Sequence, residues 1–342
     1  MNDPSDFEEL IVQLTLTEEE APSSSEITQS KLEFIEKFYK KNENKFKFCV
    51  LKGNTKKSLG ETLSNSLGEC WSFLTKTSRN PSLVDRKDLH LKFTSCSLNL
   101  IRLLSRDSEI IDAFENTSLL KQIQIIANLA NAQEDVSSND SENNALFLES
   151  FEKEMLNVYA LKAASNLVYN SKFIQNFYAE NGVAEAITMQ LKQFNLAFYV
   201  DNCSEAIPQE ENNKFSIMVF NLRILFLLTV FNKDLRQKLR EQLQVVTYLI
   251  EIVDQIMKER LNVNLEESNL LMIGCVSSSN DQSDYCYLKL IDIEYIIEIL
   301  KILYNLTMDI VSVKNNAAAT MGDFKRNSQD EEANNQKCNI LF

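Results

Sequence analysis

Glycine and proline are scarce in this chain, and their scarcity constrains the fold more than any other feature. Only six glycines and four prolines occur in 342 residues, or about 3%, whereas average usage is about 12%. Both residue types mark tight turns, and glycine supplies the left-handed backbone positions that many hairpins need. Sandwiches, propellers and collagen-like folds are therefore disfavoured. We predict an all-α protein whose long helices are joined by polar loops.

The scarcity of glycine argues against a nucleotide-binding loop, and the scarcity of histidine argues against a metal site of a familiar type. No two glycines lie within four residues of each other, so neither G-x-G-x-x-G nor a Walker loop is present. His90 is the single histidine, and no cysteine cluster has zinc-ligand spacing. We interpret His90 as a structural residue near a helix start and Trp71 as a core residue. We expect no catalytic residue, no cofactor and no metal.

Charge and composition divide the chain into three parts. Residues 1–30 carry eight acids and no lysine or arginine, whereas residues 31–60 carry nine lysines. We expect residues 1–30 to be a flexible acidic arm and residues 31–311 to form one helical domain. Residues 312–342 are expected to be a flexible tail or the start of a truncated further repeat. The net charge of −14 disfavours binding to nucleic acid or to anionic membranes.

The cysteines and the most apolar segment both point to a protein inside the cell. The seven cysteines contain no C-x-x-C pair and follow an acidic N-terminus, which is typical of a reducing compartment. Segment 215–231 is strongly apolar, but Asn221 and Arg223 interrupt it. Its unbroken apolar run is far shorter than the roughly 20 residues of a membrane span. We predict a buried core helix there and no integral membrane segment.

Apolar residues recur at helical spacing from about Leu59 onwards. Segments 145–170, 214–232, 243–260 and 285–311 are long and periodic, and polar stretches at 131–144, 201–213 and 262–284 separate them as loops.

Marked positions four residues apart recur along the chain. These are Arg102 and Arg106, Asn166 and Asn170, Leu227 and Phe231, and Asn305 and Asp309. Their first positions are spaced by roughly 60 to 80 residues, which exceeds the roughly 40–47 residues of an armadillo or HEAT unit. The polar insertions account for the excess. This register predicts stacked helical repeats that each turn one face towards a shared groove.

The polar pairs have two interpretations. They are solvated side chains on helix surfaces, or they form a polar ladder along a concave groove. In the second case asparagine amides hold the backbone of a bound peptide, and arginines hold carboxylates, either of acidic side chains or of a chain terminus.

Four segments, taken in order, resemble one family. They are residues 100–107 (LIRLLSRD), 160–171 (ALKAASNLVYNS), 220–229 with 234–237 (FNLRILFLLT and DLRQ) and 298–309 (EILKILYNLTMD). Together they resemble synembryn, the resistance-to-inhibitors-of-cholinesterase family, over residues 60–310. The resemblance implies an armadillo/HEAT-like superhelix. It also implies a cytoplasmic protein, found at the cell cortex as well, that acts as a monomer.

The family's activity implies a partner and a mechanism without bond-making chemistry. Its members are chaperones and guanine-nucleotide exchange factors for heterotrimeric G-protein α subunits, in the GDP-bound or nucleotide-free state. They take the C-terminal helix of the α subunit into the groove, which releases GDP. The resemblance assigns groove positions to Arg102, Arg106 and Asn166, and geometry extends them to Asn170, Arg223 and Asn305.

The resemblance leaves two questions about function open. Family members are longer, so the resemblance predicts a C-terminally truncated member and leaves its exchange activity in question. The alternative function is a non-catalytic helical-repeat scaffold that binds another acidic or helical peptide.

Overall fold

The computed structural model describes residues 4–15, 24–45, 47–48, 53–76, 84–130, 148, 150–193, 209–261 and 292–308. Every regular element within these ranges is helical, which confirms the all-α prediction. The helices are α1 (Pro4–Thr15), α2 (Ser24–Asn42), α3 (Gly53–Lys76), α4 (Val84–Leu104), α5 (Thr117–Ile126), α6 (Ser150–Asn170), α7 (Lys172–Glu180), α8 (Val183–Lys192), α9 (Gln209–Phe231), α10 (Lys233–Glu241), α11 (Val245–Leu261) and α12 (292–308). A short 3-10 turn, Ile111–Phe114, precedes α5.

The helices form two layers. We call α2, α4, α6, α9 and α12 the main row, because each of them packs on the next in that order. The remaining helices form a second layer, in which α3 packs on α4, α5 on α6, and α7, α8 and α10 on α9. This alternation of row helices and supporting helices is typical of a helical repeat array.

Polar side chains end one helix and begin the next with almost no loop between them. Ser171 separates α6 from α7 and accepts a hydrogen bond from the Ile174 amide at 3.2 Å. Asn232 separates α9 from α10 and accepts one from the Leu235 amide at 2.9 Å. Such N-caps satisfy amide groups that have no partner within the helix. A chain with few glycines can turn sharply because these side chains form the junctions.

Two glycines have a specific role in the packing. A Cβ atom on Gly60 would lie 2.0 Å from the main-chain oxygen of Ala113, so only glycine allows α3 to approach the 3-10 turn this closely. Gly182 has a φ of 76° at the start of α8, in the left-handed region that glycine adopts without strain.

The expected N-terminal arm needs correction. Helix α1 occupies residues 4–15 and α2 begins at Ser24, both inside the segment expected to be a flexible arm. Phe7, Leu10 and Leu14 share one face of α1 and are buried against α2 and α3. Asp6 on α1 pairs with Lys41 on α2 at 2.9 Å. The acids concealed this apolar stripe because they dominate the composition of residues 1–30, whereas in α1 itself Glu8 and Glu9 are exposed on the solvent side.

The periodic segments agree with the structure. The buried face of α3 consists of Leu59, Leu63, Leu67, Cys70 and Leu74. Trp71 beside them is half-buried and packs on the core. The expected loops at 131–144 and 262–284 lie outside the described residues, as does the tail from 312 onwards. Residues 209–213, expected to be loop, form the first turns of α9.

One helix in the described part of the chain is long and apolar enough to cross a membrane by length and composition, namely Asn213–Phe231. This stretch is 56% buried inside the protein. It packs on α6 on one side and on α12 on the other. The helix carries apolar residues on most of its sides because neighbouring helices cover those sides, as expected for a core helix.

Candidate functional site

The four sequence signatures lie on adjacent helices of the main row, except that residues 234–237 of the third begin α10 in the second layer. At one end of α9 and α12, the Tyr295 hydroxyl donates to the main-chain oxygen of Phe215 at 3.1 Å. At the other end, the Nδ2 atom of Asn305 lies 3.5 Å from the main-chain oxygen of Phe226. The two helices therefore run parallel. On α4 and α6 the equivalent positions Arg102 and Asn166 contact each other.

Beyond their first two turns, α6 and α9 each expose mainly one stripe to solvent. On α6 this stripe contains Tyr159, Lys162, Asn166 and Tyr169, while most of the remaining circumference is buried. The corresponding stripe of α9 includes Phe220, Arg223 and Phe226. We call the surface formed by these stripes, with Arg102 on α4 and Lys301 on α12, the open face of the main row.

Asn166 and Asn170 both tie α6 to the end of α4. The Nδ2 atom of Asn166 donates to the main-chain oxygen of Arg102 at 3.2 Å. The Nδ2 atom of Asn170 donates to the main-chain oxygen of Ser105 at 2.8 Å and to that of Asn166 at 3.0 Å. The last carbonyl groups of a helix have no partner within it. These two amides therefore cap the end of α4, and Asn166 also lies on the open face.

Asn305 does not lie on the open face, which corrects its expected position. It is 6% exposed and lies in the contact between α9 and α12. Its Nδ2 atom donates to the Thr229 hydroxyl at 3.0 Å. At this position the asparagine therefore joins α9 to α12. Its amide provides a hydrogen bond to the Thr229 hydroxyl, which packing has removed from water.

Arg102 in the last turn of α4 and Arg106 just after that helix both extend towards the end of α2. The Nη2 atom of Arg102 lies 3.5 Å from the Tyr39 hydroxyl, and the Nη1 atom of Arg106 donates to the main-chain oxygen of Glu43 at 2.9 Å. Both side chains are half-buried. A pocket of about 250 Å³ lies one turn earlier in the same junction, lined by Glu36, Tyr39, Lys40, Cys96 and Asn99.

Arg223 occupies the open face together with two lysines that were not among the expected site residues. Its guanidinium carbon lies 5.2 Å from the centre of the Phe220 ring, and the Nζ atom of Lys162 lies 5.8 Å from the centre of the same ring. Lys301 lies 4.8 Å from the centre of the Phe226 ring. Each cation comes from a different helix and lies within cation–π range of an aromatic ring.

A buried carboxylate organises two of these cations. Glu298 on α12 is 5% exposed and accepts from the Nε atom of Arg223 at 3.2 Å. Its other oxygen lies 2.5 Å from the Nζ atom of Lys301. Burial and the nearby Arg102 guanidinium lower the pKa of Lys162. Arg102, Lys162, Arg223 and Lys301 outnumber the buried Glu298, so the open face is locally basic on an acidic protein.

The sequence contained a signal for the two lysines. Lys162 precedes Asn166 by four residues, and Lys301 precedes Asn305 by four, each after a leucine. This repeated Leu-Lys pair is visible in the sequence. The contacts of the two lysines with Phe220 and Phe226, however, depend on the packing of α6, α9 and α12.

His90 lies well inside α4 rather than at its start. Its ring stacks on Phe73 with centroids 4.0 Å apart, and Nδ1 is 2.7 Å from the main-chain oxygen of Arg86. Burial lowers the pKa of His90, which favours the neutral ring. In the described ranges, no group of three or more histidine, cysteine, aspartate or glutamate side chains is placed to hold a metal ion.

Comparisons with known proteins agree with the resemblance of the four signatures. The Ric8 family model, described as guanine nucleotide exchange factor synembryn, matches residues 97–341. Chaperone Ric-8A of Xenopus tropicalis is 24% identical over 224 residues, covering 66% of this chain and 35% of that protein. Chaperone Ric-8A of Bos taurus is 28% identical over 213 residues, covering 62% and 32%. Chaperone Ric-8B of Mus musculus is 28% identical over 160 residues, covering 47% and 26%. The matched regions span about a third or less of these relatives' lengths.

Proposed function

The chain belongs to the Ric8 family, the guanine nucleotide exchange factor synembryn, and from this membership we propose that it binds heterotrimeric G-protein α subunits. In this proposal it acts as their chaperone and promotes the release of GDP. The partner is the GDP-bound or nucleotide-free α subunit, and the protein works as a cytoplasmic monomer, including at the cell cortex.

The convergence of four family signatures on neighbouring helices supports this proposal most directly. Arg102, Lys162 and Arg223 bring positive charge to the open face from α4, α6 and α9. Half-buried aromatic rings lie between the cations. A helix with apolar and acidic side chains is the ligand that complements such a surface. We propose that the C-terminal helix of the α subunit lies there.

The proposed mechanism requires no acid, base or metal from this chain. A factor that binds one conformation of its partner more tightly shifts the partner's population towards that conformation. Holding the C-terminal helix on the open face would withdraw it from the α subunit's own domain. The nucleotide site, which that helix supports, would then release GDP.

The decisive experiment is GDP release from a purified α subunit with and without this chain, combined with a direct binding measurement. Faster release would support exchange, and binding without faster release would support only α-subunit recognition. Failure to bind any α subunit would contradict the proposal. Recovery of an unrelated acidic or helical peptide under the same conditions would then favour the scaffold alternative.

The chaperone activity needs its own measurement. An α subunit translated in the presence of the chain should give a higher yield of protein that binds a GTP analogue than one translated without it. Equal yields would remove the chaperone part of the proposal while leaving exchange untouched.

A further inference from the structure

We propose that Lys162, Arg223 and Lys301 form a cation strip that recognises acidic side chains spaced seven residues apart on a helical ligand. The inference rests on the proposed function, in which the ligand is a helix of the α subunit. It goes further by specifying the charge pattern that the open face recognises and the residues that recognise it.

The three cations occupy equivalent positions on successive helices of the main row. Lys162 lies four residues before Asn166 on α6, and Lys301 lies four residues before Asn305 on α12. Arg223 lies between them on α9 and shares the Phe220 ring with Lys162. The cation strip therefore crosses the row at a nearly constant height, with one positive charge on each helix.

Aromatic rings hold the strip in place. The Nζ atom of Lys162 is 5.9 Å from the Tyr159 ring centre and 5.8 Å from that of Phe220. Lys301 and Arg223 lie 4.8 Å and 5.2 Å from their rings. Cations over ring faces lose less conformational freedom on binding a ligand, because the contact has already restricted them.

The strip carries more positive than negative charge. Glu298 contacts both Arg223 and Lys301, yet the side chains of these two cations remain 40% and 38% exposed. The other acids of α12 in the described residues are Asp292, which is buried, and Glu294, which is exposed one turn before Glu298. Lys162 forms no ion pair with any residue that the structure describes, and Arg102 adds a further positive charge beside it. A carboxylate arriving from solvent therefore meets a surplus of cations.

The spacing of the row sets the spacing of the ligand's charges. Packed helices lie about 8–10 Å apart, and a helix rises 1.5 Å per residue. Residues seven apart on a ligand helix are thus separated by about 10.5 Å and lie within about 20° of the same face. A helix lying along the row, across its member helices, would place acids at positions i, i+7 and i+14 over α6, α9 and α12. Glu298 draws Arg223 and Lys301 closer together than the axes of their helices, so the flexible glutamate side chains of the ligand reach inwards to meet them.

Designed peptides test this spacing on the full chain. One helical host peptide carries glutamates at i, i+7 and i+14, and a second has the same composition with the three glutamates on different faces. Both have the same net charge, so repulsion by the acidic protein cancels in the comparison. We expect the first to bind about tenfold more tightly at low salt, as three partly exposed ion pairs would give. Equal affinity of the two peptides would overturn the inference.

Variants of the chain locate the effect. The triple variant Lys162→Gln, Arg223→Gln, Lys301→Gln should abolish the preference for the first peptide. Removing Lys121, Lys192 and Lys233 in the same way should preserve it, because these lysines lie on second-layer helices. If the triple variant does not fold, Lys162→Gln alone is the test, because it breaks no ion pair among the described residues. It should reduce the preference for the first peptide. Retention of the full preference in Lys162→Gln would count against the inference.

The α subunit itself separates this inference from the function on which it rests. If the chain binds no α subunit but still prefers the first peptide, the proposed function fails and the cation strip stands. If it binds the α subunit but discriminates neither peptide, the strip fails and the function stands.

Discussion

Asn166 on α6 donates a hydrogen bond of 3.2 Å to the main-chain oxygen of Arg102 on α4, so two residues of different family signatures contact each other. The bond reaches across 64 residues of sequence. It links the end of one repeat to the open stripe of the next. Substitutions at these positions will therefore affect both the packing of the array and the surface that it presents, so stability and binding have to be measured separately.

Replacing both Arg102 and Arg106 with alanine should weaken binding of a peptide that copies the C-terminus of an α subunit. Two charge-assisted hydrogen bonds contribute about 1.5–3 kcal/mol each, and partial exposure reduces their sum to about 2–4 kcal/mol. Isothermal titration calorimetry would measure the loss. The matched control, Lys121→Ala with Lys233→Ala, removes the same charge from the second layer and should bind as the wild type does. If circular dichroism shows that the arginine variant is folded and its affinity is unchanged, the assignment of Arg102 and Arg106 to the groove is wrong.

Asn170→Ala should destabilise the fold by about 1–2 kcal/mol, since it removes two hydrogen bonds to helix-end carbonyls. Asn170→Asp should cost more, because a carboxylate cannot donate and would face carbonyl oxygens. Urea denaturation monitored by circular dichroism measures both. Gln193→Ala, at an exposed helix end, is the control and should change stability by less than about 0.5 kcal/mol. Equal stabilities of all three variants would show that the inter-repeat cap contributes nothing.

Gly60→Ala and Gly68→Ala form a matched pair within α3. A Cβ atom at Gly60 would lie 2.0 Å from the Ala113 main-chain oxygen, whereas at Gly68 the nearest atom is the Gln122 side-chain nitrogen at 3.4 Å. We expect Gly60→Ala to cost about 2–3 kcal/mol through overpacking. Gly68→Ala should be neutral or stabilise by up to about 1 kcal/mol, since alanine favours a helix interior. Thermal unfolding gives the order, and a reversed order would contradict the close approach of α3.

Glu298→Ala should destabilise the contact between α9 and α12. It leaves Arg223 and Lys301 beside each other without their shared carboxylate. Loss of one partner from a buried pair costs about 3–5 kcal/mol, and the exposure of both cations reduces our expectation to about 1–3 kcal/mol. Glu294→Gln, one turn earlier and exposed, serves as control and should change stability by less than about 0.5 kcal/mol. A Glu298 variant as stable as this control would show that the buried carboxylate is dispensable.

Acidification should destabilise the protein through His90. Burial lowers the pKa of this histidine in the folded chain, so the unfolded chain takes up its proton first, near pH 6.5. Stability must then fall as the pH drops through that range. His90→Gln lacks this effect, and its stability relative to the wild type should rise between about pH 7.5 and about pH 5. Because His90 is the single histidine, parallel pH profiles of the two proteins would exclude its contribution.

The helical class and the register of the signatures follow from the sequence alone. Leu59, Leu63 and Leu67 recur at helical spacing, and this is a local property that needs no knowledge of the partner surface. The scarcity of glycine and proline excludes the alternatives for the same local reason. Helix ends such as Asn232 are also set locally, because a capping side chain bonds to amides three residues away.

The partners of the polar side chains were decided by the tertiary structure. Nothing near Asn305 in sequence distinguishes it from Asn166, yet one is buried against Thr229 and the other reaches the open face. Likewise, Lys162 meets Phe220 only because α6 packs on α9. Such contacts join residues about 60 to 80 positions apart, so they depend on how neighbouring helices are rotated and aligned. That alignment is set by the packing of whole apolar faces against each other. The sequence of one helix does not show which neighbouring face it will pack against.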